Sequence, residues 1–171
     1  MKYHPAYRDC RGTTLLETIL YIALLAIVIG GVLTGAAAVF SATDHNRVAA
    51  MLQQEAAFVL ARCAAVITEG AVVVSPGTHG SQLIVVAADG SRMQLCMASG
   101  EARFLAGAGD CAHDGVALDN DDATVDSLVF VRRAEEGASL IDCAVVLSAR
   151  DAHGGAVSFA ATTTRMLRSR L

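Results

Sequence analysis

The residues able to do chemistry fall into three groups. Glu17 opens an interval with no further charged side chain until Asp44. Cys63, Cys96, Cys111 and Cys143 are spread over the remainder of the chain, and Cys10 precedes Glu17. Asp110, Asp114, Asp119, Asp121 and Asp122, with Asn120, form an acidic cluster. Each group suits a different task. A carboxylate at the edge of hydrocarbon needs a counter-charge, a headgroup or water. Cysteines can pair, ligate a metal or serve as small core residues. Carboxylates and an amide can supply oxygens to Ca²⁺.

Enzymatic arrangements are missing from the sequence patterns. Ser75, Ser127 and Ser148 do not lie in a G-x-S-x-G turn. His79, His113 and His153 stand apart, each near a glycine, and no phosphate-binding glycine pattern follows a strand. The cysteines form no C-x-x-C pair, and Cys111-Ala-His113 reads as well as a turn. The acidic cluster lacks EF-hand order and reads as a solvated face. Arg165, Arg168 and Arg170 have no interleaved aromatic residues, and the net charge is −4, so nucleic acid is not an expected partner. The expectation is a protein with no catalytic residues, no metal and no cofactor.

The elements that carry these residues begin with the uncharged interval. Apolar residues make up 54% of the chain and charged residues 18%, and the apolar excess is concentrated in the first quarter. The interval exceeds the roughly 20 residues that cross a bilayer. Lys2, Arg8 and Arg11 precede it, as in a signal peptide, but the run is longer than a signal peptide's apolar core and no small-residue cleavage site follows. A plain anchor with its positive side in the cytoplasm fits better. Beyond Asp44, Val48, Met51, Leu52, Val59, Cys63, Val66 and Ile67 recur mostly at three- and four-residue steps. Together the two parts predict one helix over Thr14–Glu69, roughly 84 Å long. Its first half is apolar throughout and its second half amphipathic. Gly31 and Gly35 have small-xxx-small spacing, which lets helices approach closely, although such spacing also arises by chance in a span this rich in small residues.

After Gly70 the period changes. Val72–Ser75, Gln82–Ala88, Arg92–Ala98, Arg103–Leu105, Val125–Arg132, Ile141–Ala149 and Ala156–Ala161 read as strands. Asp89-Gly90-Ser91 marks a hairpin, and Pro76-Gly77 with Gly80 marks a turn. Arg132–Gly137 reads as a polar connection and Thr162–Leu171 as a polar, basic tail. The expected class is α+β, with the amphipathic half-helix packed on a small antiparallel sheet.

Residues 12–40 resemble the start of a type IV prepilin or type II secretion pseudopilin. The resemblance rests on a short basic leader ending in Gly12, then Glu17 as the fifth residue beyond it, then the apolar helix. It implies cleavage between Gly12 and Thr13 by a prepilin peptidase, with methylation of the new amine. It also implies that Glu17 neutralises the Thr13 amine of a neighbouring subunit. The implied partners are that peptidase, other pilin or pseudopilin subunits, and an inner-membrane assembly platform. Thr13 stands where major pilins often begin with Phe or Met, and Thr34 where many carry proline, so the resemblance leans toward a minor subunit. The order "SLVF", "CAVVLSA", "SFAATTTRMLR" is similar to J-type pseudopilins.

The domains expected on this basis are a leader over 1–12, a pilin-like helix over 13–70 spanning the membrane at about 18–40, and a β-rich head over 71–171. The head would face outward from a single-pass inner-membrane protein, and the chain would later enter a pilus or pseudopilus. A single-span anchored enzyme or binding domain is the alternative. With Cys10 lost in the leader, Cys63, Cys96, Cys111 and Cys143 are an even set compatible with two disulfides, and three full pairings are open. Cys96 with Cys111 would close the shortest head loop, and Cys63 with Cys143 would tie helix to sheet.

Overall fold

The computed structural model describes residues 15–118, 120, 122–135 and 138–167. The expected processing residues Gly12 and Thr13 lie outside the described residues, as do Thr14, Asp119, Asp121, Arg168 and Arg170.

A single helix, α1, runs over Leu15–Glu69, 55 residues, as its composition predicts. Glycine costs about 1 kcal/mol relative to alanine in a helix interior, yet α1 continues through Gly30, Gly31 and Gly35. Along this stretch the Thr34 hydroxyl donates to the carbonyls of Gly30 and Gly31 at 3.0 Å each. That back-bond stays inside the helix and leaves the backbone ladder in place.

The chain divides into two compact units, residues 1–42 and 43–171. In the first, α1 is long and apolar enough to cross a membrane. Its large side chains are bare: Leu16 is 70% exposed, Ile27 71% and Leu33 64%. In the second unit α1 has a buried stripe, Leu52, Ala56, Val59, Cys63, Val66 and Ile67. Steps of three and four residues align these positions on one face. The helix stops at Gly70, which begins β1. A β-carbon on Gly70 would stand 1.9 Å from Val85 Cγ1, so only glycine allows the chain to turn from helix into sheet this close to its neighbour.

The head contains two antiparallel sheets where the sequence suggested one. The first comprises β1 (Gly70–Ser75), β3 (Gln82–Ala87), β4 (Arg92–Ala98), β5 (Glu101–Ala106) and β6 (Val116–Ala117), in the order β1-β3-β4-β5-β6. The second comprises β2 (His79–Gly80), β7 (Thr124–Glu135), β8 (Ala138–Arg150) and β9 (Ala156–Leu167), in the order β2-β7-β8-β9. The hairpin between β3 and β4 turns at Gly90, whose φ of 85° suits glycine. The Asp89 carboxylate closes it by accepting from the Ser91 amide and hydroxyl at 2.8 and 2.6 Å.

Two expected boundaries are corrected. Arg132–Glu135 continue β7, paired with β8 residues that include Ile141 and Leu140. The supposed basic tail is strand as far as Leu167, because Thr162–Leu167 pair with Ala144–Ser139. Thr162, Thr163 and Thr164 are β-branched and suit a pleated surface despite their polarity.

The inner faces of both sheets and the helix stripe share one apolar core. Leu83, Val85, Met93, Leu95 and Ala102 come from the first sheet; Leu128, Phe130, Ile141, Cys143, Val145 and Leu147 come from the second. Each large side chain buried there contributes about 1.5–3 kcal/mol.

Candidate functional site

Glu17 lies in the first turn of α1. One turn further on, Tyr21 donates its phenolic hydroxyl to Glu17 Oε1 at 3.1 Å. The i, i+4 spacing makes this contact, which was legible in the sequence but missed. Further along the same exposed span, a β-carbon added to Gly31 or Gly35 would meet nothing within 4 Å. These two positions leave the helix backbone open to close approach.

In the head, Cys96 of β4 is bonded to Cys111, the first residue of the short helix α2 (Cys111–Asp114), with their α-carbons 6.2 Å apart. Cys63 and Cys143 are free thiols, both buried. The bond fastens the segment after β5 over the outer face of the first sheet. Gln94 reinforces it from beneath. Its amide nitrogen donates to the carbonyls of Gly107 and Gly109 at 3.1 Å each, and its oxygen accepts from Gln82 at 3.3 Å. Gln94 is 1% exposed, and these partners satisfy its amide.

The described members of the acidic cluster are used for turn-making. The Asp110 carboxylate accepts from the Ala112 amide at 3.0 Å, and Asp114 Oδ2 accepts from the Asp110 amide at 3.1 Å. Asn120 donates to Glu55 Oε1 at 2.8 Å, joining this loop to α1, and accepts from the Asp122 amide at 2.9 Å. Among the described residues, no group of three or more His, Cys, Asp or Glu side chains is placed to hold a metal ion.

Sequence reasoning missed a second junction. Asp44 Oδ2 accepts from the Ala152 amide at 2.8 Å, in the β8–β9 turn. Asp151 shapes that turn by accepting from the amides of His153 and Gly155 at 3.0 and 2.7 Å. His45 Nδ1 stands 3.9 Å from Asp151 Oδ2. The charge that ends the apolar interval thus also docks the helix on the second sheet's turn.

Across the outer face of the second sheet, Asp142 of β8 accepts from Thr164 of β9 at 2.7 Å and pairs with Arg133 of β7. The Thr164 hydrogen bond, then the Arg133 guanidinium, hold its carboxyl below the usual carboxylate range against the opposing effect of burial.

Three clefts of about 360, 480 and 380 Å³ open on the head. They are lined respectively around Phe58 and Leu118, around Glu69 and Asp89, and around Asp44 and Arg150. None of these linings pairs a nucleophile with a base: the one hydroxyl, Thr68, donates to the Ala64 carbonyl at 2.7 Å. His79, His113 and His153 are all exposed. No protein-family model, curated protein or solved structure matches the chain.

Proposed function

We propose that the chain is a non-enzymatic structural subunit, processed by a prepilin peptidase and assembled through α1 into a type IV pilus or type II secretion pseudopilus. The carrying observation is Glu17 at the start of a bare apolar helix, five residues beyond Gly12. Before assembly the protein is a single-span inner-membrane protein with its head outside the cytoplasm. After cleavage, the amine of Thr13 on one subunit pairs with Glu17 of another. Gly31 and Gly35 let neighbouring helices approach, and the apolar side chains that face lipid face one another in the fibre. A minor, J-type position fits the Thr13 terminus and the sequence order "SLVF", "CAVVLSA", "SFAATTTRMLR".

The pair acts mainly on register. Making a buried ion pair yields modest net stability, but breaking one by removing a partner costs about 3–5 kcal/mol. Glu17→Gln is therefore expected to reduce incorporation into sheared fibres or pseudopili by tenfold or more, about 1.4 kcal/mol per factor of ten, while membrane insertion persists. Incorporation at the wild-type level would remove the role assigned to Glu17.

A further inference from the structure

Cys63 and Cys143 are both 0% exposed and belong to the same apolar cluster. Cys63 sits on the inward stripe of α1, between Val59 and Val66. Cys143 occupies the middle of β8, which has paired strands on both sides, with Phe130 and Thr163 as its register neighbours. Its inward neighbours along the strand are Ile141 and Val145. Both side chains thus lie inside one apolar core, Cys63 carried by α1 and Cys143 by β8. A hydrogen bond between them, then burial, then their mutual charge, push the Cys63 thiol well above the usual thiol range. In the folded core Cys63 is therefore held as a thiol, a poor nucleophile and a poor metal ligand.

We propose that in the exported chain Cys63 and Cys143 are joined by a second disulfide, closed during folding, that staples α1 to the centre of the second sheet. The proposal rests on the extracytoplasmic placement of the head. The oxidant is a disulfide-carrying exchange protein. A thiolate of one cysteine attacks its disulfide and forms a mixed disulfide, releasing one oxidant thiolate. The second cysteine's thiolate then attacks the chain's own sulfur in that bond. An S–S bond forms between Cys63 and Cys143, two protons leave the cysteine thiols, and the oxidant departs as a dithiol carrying two electrons. With both sulfurs inaccessible in the finished core, exchange takes place before α1 docks. The bond closes a far longer loop than the 15-residue separation of Cys96 and Cys111, and so constrains the unfolded chain more.

The Cys96–Cys111 bond is an internal control. The full chain, purified in detergent from an oxidising compartment, is denatured in alkylating reagent without reductant, digested and weighed. The expected result is a Cys63–Cys143 cross-linked peptide beside the Cys96–Cys111 one, with neither pair alkylated. A bonded Cys96–Cys111 with alkylated Cys63 and Cys143 overturns the proposal. Alkylation of all four overturns the extracytoplasmic placement, and the proposal with it. In a Cys96→Ser, Cys111→Ser chain, adding reductant should lower the denaturant midpoint, and an unchanged midpoint overturns the staple.

Discussion

Glu17 and Asp142 show how differently a carboxylate is satisfied at two places in one chain. Glu17 has Tyr21 one helical turn away at 3.1 Å. The phenol supplies a donor to the carboxylate. Tyr21→Phe keeps the ring and removes that donor. A typical hydrogen bond contributes about 0.5–1.5 kcal/mol, so fibre incorporation should fall roughly 2- to 10-fold, less than for Glu17→Gln. An unchanged level for Tyr21→Phe would mean that Tyr21 acts through its packing.

Asp142 is held by Thr164 and Arg133 with its carboxyl below the ordinary value. The folded value lies below the unfolded one, so its stabilisation is complete above about pH 4 and drains as pH falls through the folded value. Asp142→Asn should lower stability at neutral pH and flatten the acid limb of the stability–pH curve. Denaturant titrations between about pH 2 and pH 7 check this.

At the scale of elements, packing decides what periodicity leaves open. Gly70 is the clearest case: the β-carbon it lacks would overlap Val85. Gly70→Ala should destabilise the head by about 1–3 kcal/mol, measured by denaturant unfolding of the full chain in detergent. The helix and most strands were legible because their apolar spacing is strong. Leu52, Val59, Cys63, Val66 and Ile67 lie where a 3.6-residue period puts them. Burial at β4 was not legible. Met93 and Leu95 alternate with Gln94 and Cys96, yet all four are buried, because a disulfide-held loop covers the face that alternation assigns to water. The length of β9 was hidden for a related reason: Thr162–Thr164 and Arg165 are polar, but β8 supplies a full ladder beside them. α2 and β6 span four and two residues, too short to establish a period of their own.

For the whole molecule, the division at Ala42–Thr43 separates two kinds of surface. Up to Ala42, α1 has large apolar side chains that are exposed among the described residues. From Thr43 on, the same helix gives its apolar stripe to the sheets and is tied to them through Asp44 and Glu55. One helix therefore supplies a core to the head and a bare apolar face for lipid or for other helices. In the proposed function the Glu17 spacing connects that face to assembly, and the connection depends on one chemical event, release of an amine at Thr13. The most direct measurement is the intact mass and amino-terminal sequence of the chain produced with an active prepilin peptidase. The account predicts a chain beginning at N-methylated Thr13. An intact leader, in a host whose peptidase cuts a control prepilin, would contradict it and leave α1 as a plain membrane anchor.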